Sequence, residues 1–247
     1  MLTFFGISFI FASALVITVM ILVISHQFKS IKRNPKVIEN IEIHVNRHYL
    51  FGIDVSHYQE LIDWDLVRKP KHPIEFVFIR STMGEDGVDL TYKRNLKEAQ
   101  KQGFLVGTYH FYRPNENSHA QFENFKKHAK VEKGHLVPVL DIESESAFGV
   151  ENLRKGLQNF LNLAEREYGV KPIIYSGLDF WRRNLKGHFD EYSLWIAAYS
   201  GKHRIQDVVW DFHQFTDQVR VQGINGYVDG NDFNGSLEKL KEEFLVD

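Results

Sequence analysis

The stretch VPVLDIES, Val137 to Ser144, ends an apolar run in two carboxylates, Asp141 and Glu143, separated by one isoleucine. In a strand, residues i and i+2 project to the same side, so both carboxyls would enter one small site while Ile142 packs the other way. Two like charges held that close push their pKa values apart. One group then keeps a proton while the other ionises near neutral pH, which is the division of labour that acid/base chemistry requires.

Other short β-rich runs also end in chemically competent residues. The runs are 51–55, 75–82, 104–112, 135–143, 171–176, 193–199, 208–215 and 226–233. Their C-terminal ends carry Asp54, Arg80, Tyr109 with His110, Asp141 with Glu143, Tyr175, Trp195 with Tyr199, Gln214 and Asp229. Acids on separate strands, ringed by Tyr, Trp, His and Gln, suit a polyhydroxylated substrate. Carboxylates and amides bond hydroxyls, and aromatic faces cover sugar rings.

Strands must alternate with helices to gather those ends. Tyr92, Leu96 and Ala99 form one apolar helical stripe closed by Gly103, and Leu153, Leu157, Phe160, Leu161 and Ala164 form a longer one followed by Gly169. Eight strands with intervening helices predict an α/β fold, an irregular, compact (β/α) TIM-like barrel, because connections such as 200–207 are too short for a full helix.

The chain of 247 residues is 43% hydrophobic and 25% charged, enough for one large core. A net charge of −2 gives no electrostatic case for nucleic acid, and the absence of cysteine excludes disulfides, thiolate metal sites and Cys nucleophiles. No nucleotide-binding glycine motif, serine elbow or H-E-x-x-H pair is present, so neither cofactor nor metal is expected. Residues 1–25 carry no charged side chain and are long enough to span a bilayer, which predicts a transmembrane anchor preceding the barrel, or a cleaved signal segment that would leave a secreted enzyme. Lys29, Lys32, Arg33 and Lys36 follow the span, and the positive-inside rule would keep that flank in the cytoplasm, against a domain that works outside. Residues 26–48 read as a polar stem in which His44 and His48 are solvated, and 49–247 as the catalytic domain, expected to be monomeric.

The ordered motifs GIDVSHYQ (52–59), FVFIRSTMG (76–84), GVDLTY (87–92), GTYHFYRP (107–114), PVLDIE (138–143), PIIYS (172–176), LWIAAY (194–199), FHQFT (212–216) and VDGNDFNG (228–235) resemble glycoside hydrolase family 25. These are the Chalaropsis-type lysozymes, which cleave the β-1,4 bond after N-acetylmuramic acid in peptidoglycan. The resemblance implies that Glu143 is the general acid, that Asp141 is a neighbouring acid, and that Asp54 and Asp229 complete the catalytic set; the chemistry asks Asp141 to stay ionised and stabilise the positive charge on the sugar ring. Arg80, Tyr109, His110, Tyr175, Trp195, Tyr199 and Gln214 would bind substrate. Where the family often has K-A-T-E-G and W-Q-Y, this chain has Arg80-Ser81-Thr82-Met83-Gly84 and His213-Gln214-Phe215. After protonation of the leaving oxygen, the second step is open between a carboxylate or the water it activates and the substrate's own acetamido group. A tethered wall-binding protein without turnover, or a hydrolase of another amino-sugar polymer such as chitin, are the alternative readings.

Overall fold

The computed structural model describes residues 49–68 and 74–247. The expected span at 1–25, the stem at 26–48 and the pair His44 and His48 lie outside the described residues. Among the described residues no helix is long and apolar enough to cross a membrane.

The strands are β1 (Leu50–Val55), β2 (Phe76–Met83), β3 (Gly87–Val88), β4 (Leu105–Phe111), β5 (Val139–Asp141), β6 (Ile173–Gly177), β7 (Leu194–Ala197), β8 (Phe212–Val219) and β9 (Val228–Phe233). Eight of them close a barrel in the order β1-β2-β4-β5-β6-β7-β8-β9, with β1 pairing both β2 and β9. All eight expected strands occur, β5 shorter than its apolar run suggests. The two-residue β3 is an addition, hairpinned onto the end of β2.

Seven barrel strands run parallel, and β9 runs antiparallel to both its neighbours. The cause is chain length. Residues 220–227 join β8 to β9, and a parallel return needs a crossover of a dozen or more residues, so the chain turns back as a hairpin. This reversal is what makes the barrel irregular.

The long helices sit outside the barrel. They are α1 (Tyr92–Lys101), α2 (Ser118–His128) and α3 (Val150–Tyr168), and α4 (Leu237–Phe244) follows β9. In α1 and α3 the buried positions include every residue of the two apolar stripes. Gly169 ends α3 at φ 71°, the left-handed conformation in which a side chain would be strained. Helix α2 has a weaker apolar pattern because Gln121 and Asn124 are among its buried residues, their amides bonded to loop backbone.

The barrel interior is layered. At its N-terminal end Phe76, Phe78, Trp195, Phe212 and Phe233 interlock, with Phe78 stacked on Trp195 at 4.7 Å and Phe212 tilted against Phe233 at 4.9 Å. Leu240 and Phe244 of α4 join that cluster. Gly52 pairs with Phe76 and Gly107 with Phe78, and a Cβ on either glycine would lie 2.4 to 2.5 Å from the ring. The glycines give the rings room, so the aromatic layer fills one end and leaves the C-terminal strand ends to polar groups.

Candidate active site

Strand parity sets the site. In β5, Leu140 is buried in the helix-facing core and Ile142, just past the strand, joins it, whereas Val139 and Asp141 point inward. Glu143 continues the inward set beyond the strand end, so Asp141 is 5% exposed while Glu143 stands at the solvent-facing lip. The two carboxyls are close enough to perturb each other.

The second pair of acids comes from opposite ends of the domain. Asp54 of β1 lies directly across from Asp229 of β9, close enough for their carboxyls to perturb each other. Gln214 Nε2 donates to Asp54 Oδ2 at 2.9 Å and Asn231 Nδ2 donates to the same oxygen at 2.8 Å. These amides are held in turn. Tyr175 Oη and Tyr199 Oη donate to Gln214 Oε1 at 2.8 and 2.7 Å, and Trp195 Nε1 donates to Asn231 Oδ1 at 2.8 Å. With the hydrogens of Tyr175, Tyr199 and Trp195 aimed at amide oxygens, both amides must turn their N–H groups toward Asp54.

That polarity decides where the protons lie. Burial raises Asp54 to about 6 in spite of its amide donors, whereas Asp229, raised by burial and then by the charge of Asp54, reaches about 8. Near neutral pH the proton of this pair therefore rests on Asp229, and Asp54 is the anion. Asp141 has no N–H or O–H donor among the described residues beyond its contact with Glu143. Burial first, and then the charge of Glu143, lifts it well above the ordinary range. Glu143 is raised too, by burial, and its hydrogen bond with Asp141 pulls it back toward ionisation. Burial, ahead of the neighbouring charge, is the main cause that raises both carboxyls, Asp141 being the deeper of the two.

One cavity of about 360 Å³ is lined by Asp54, Arg80, Tyr109, Asp141, Glu143, Tyr175, Trp195, Tyr199, Gln214 and Asp229. His110 is absent from it. Tyr109 faces the interior, so its neighbour must face out, and the His110 ring stacks on Phe160 of α3 at 5.0 Å and bonds Thr82 Oγ1 at 2.8 Å. Burial lowers its pKa to about 3, which makes it a neutral core histidine. A substrate contact by His110 is thereby ruled out.

Arg80 lines the cleft but is not a free cation. Its Nε donates to Asp89 Oδ2 at 3.3 Å, and its Nη2 contacts His57 Nδ1. Burial opposes ionisation of Asp89, yet hydrogen bonds from Thr91 and His57 and the Arg80 charge hold its pKa below the usual range. Asp89, Asn231 and Tyr58 are site residues that motif reading passes over. Asn231 was findable, since it lies two residues from Asp229 and shares its face; Asp89 reaches Arg80 because the β2–β3 hairpin folds back over the cleft edge.

A closed barrel with two adjacent carboxyl pairs in an aromatic cleft at its C-terminal strand ends has the architecture of a glycoside hydrolase. The chain belongs to glycosyl hydrolases family 25, whose model matches residues 53–224. It is 39% identical over 196 residues to the uncharacterized protein YegX of Escherichia coli K12, covering 78% of this chain and 72% of that one. Lysozyme M1 of Streptomyces globisporus is 28% identical over 207 residues, covering 76% of this chain and 69% of the relative. A family 25 glycosyl hydrolase structure from Bacillus anthracis superposes with a TM-score of 0.74 at 29% identity, covering 81% of this chain and 95% of that one. Asp229 and Asn231 lie beyond the matched family range, and β9 brings them to the site.

Proposed function

We propose that this glycoside hydrolase is an N-acetylmuramidase that hydrolyses the β-1,4 bond between N-acetylmuramic acid and N-acetylglucosamine in peptidoglycan. The observation that carries the reading is the Asp141–Glu143 pair, a buried carboxyl beside a carboxyl at the lip of a sugar-sized cleft. The named lysozyme among its relatives supports the substrate.

In the proposed reaction Glu143, the member of the pair that substrate can reach, delivers the proton to the leaving glycosidic oxygen. The pair is then doubly anionic and faces the positive charge growing on the sugar ring. Asp54, fixed by Gln214 and Asn231, adds a second fixed negative charge, with one oxygen already holding two amide donors. That engagement favours a field-shaping role over nucleophilic attack. Tyr109, Tyr175 and Tyr199 have pKa values raised by burial first and so remain protonated phenols beside these acids.

Digestion of purified peptidoglycan, with chitin in parallel, tests the substrate. Mass spectrometry of the fragments should find N-acetylmuramic acid at the new reducing ends. N-acetylglucosamine at those ends, or faster release from chitin, would overturn the assignment, and binding without release would point to a wall-binding protein.

Because the substrate lies outside the cytoplasmic membrane, the domain is proposed to act there, single and tethered by residues 1–25. Protease added to intact spheroplasts should remove the domain; protection until lysis would place it in the cytoplasm, where the basic flank after the span points.

A further inference from the structure

The cleft has two arms that meet at Glu143. The arm holding the acids also runs past Arg80 to Ser56, Tyr58 and Gln59, while a second cavity of about 280 Å³ is lined by Glu143, Tyr175, Gly177, Phe180, Ala197 and Tyr199. A general acid contacts the oxygen between the ring that loses its bond and the departing sugar. On the muramidase reading, the acid-rich arm therefore takes the ring that becomes positive, and the Phe180 arm takes the leaving sugar.

From this we infer that Tyr58 is a stacking platform for a sugar further along the acid-rich arm, on the non-reducing side of the cleaved bond. Its ring is 75% exposed although it belongs to the cleft wall. It is braced rather than free: the His57 ring lies 4.3 Å away at 33°, and the Arg80 guanidinium lies 5.2 Å from its centroid. The Arg80–Asp89 pair thus supports an aromatic ring, which accounts for a buried cation that is already neutralised.

The turn that carries Tyr58 is fixed on several sides. Ser56 Oγ accepts from Tyr58 N at 3.3 Å, Gln59 Oε1 accepts from Ser56 N at 2.9 Å, and Asp89 Oδ2 accepts from His57 N at 2.8 Å. Glu60 ends the turn at φ 53°, where it is the one non-glycine residue with positive φ among the described residues. Strain of this kind persists only where the surroundings over-determine it. A large ring locked in place with its free surface in water is pre-organised to cover the apolar face of a pyranose, with little side-chain entropy left to lose.

The test is binding, so that it does not depend on turnover. Peptidoglycan oligosaccharides from disaccharide to octasaccharide are titrated calorimetrically against Glu143→Gln, with and without Tyr58→Ala or Tyr58→Phe. Tyr58→Ala should weaken the octasaccharide by on the order of tenfold and leave the disaccharide unchanged, while Tyr58→Phe keeps the wild-type affinity. Equal affinity at every length, or an equal loss at every length, overturns the platform, the latter by assigning the effect to the fold. Absence of peptidoglycan cleavage by the unsubstituted enzyme would instead sink the muramidase reading and leave the binding result intact.

Discussion

Glu143→Gln should lose on the order of 10² to 10⁴ in kcat on peptidoglycan while keeping its melting temperature and its affinity for the glycan. Gln has the shape of Glu and can still hydrogen-bond Asp141, but it has no proton to give. Glu143 stands at the lip, so the substitution disturbs no packing in the aromatic layer. A general acid acts on the leaving oxygen only as the bond breaks, so the loss should fall on kcat and not on KM. Activity above about half of wild type would show that another group supplies the proton.

Asp141→Asn should combine a large rate loss, about 10² or more, with a shift of the pH profile. The pair titrates as a unit, and its last proton is hard to remove because removal leaves two adjacent anions, one of them buried. The alkaline limb of kcat/KM reports that step. An amide at position 141 removes both the second anion and the repulsion, and it offers an N–H to the Glu143 carboxylate. A like charge raises a carboxyl pKa and its removal lowers it, so the limb should move to lower pH. It should stop above the ordinary glutamate range, since the burial that raises Glu143 is still present. An unmoved limb, with residual activity above background on a soluble glycan, would mean that burial alone or the Asp54–Asp229 pair controls the acid.

Much of this site was legible in the sequence because its geometry is local. Period-2 projection predicts that Asp141 and Glu143 share one side, and the extended chain at and just past the end of β5 brings both to the cleft. The helices α1 and α3 bury the stripes that a 3.6-residue period marks, and Gly169 stops α3 where it must. The same parity rule, applied strictly, separates Tyr109 from His110. Reading both as cleft residues overlooked that adjacent strand positions face opposite ways.

What the tertiary structure alone decided is non-local. Asp54 meets Asp229 only because the β8–β9 hairpin reverses the last strand and closes the barrel against β1. The register of β2 shifts between Arg80 and Thr82, so Arg80 points into the cleft while Thr82 bonds the outward-facing His110, although alternation would put both on one side. The destination of a charge depends equally on distant partners. Asp89 takes up Arg80, two amides fix Asp54 as an anion, and burial raises Asp141. Residue type and spacing along the chain determine which groups can do acid/base chemistry; which of them holds a proton depends on desolvation and on donors brought from other strands, and these exist only once the barrel has closed.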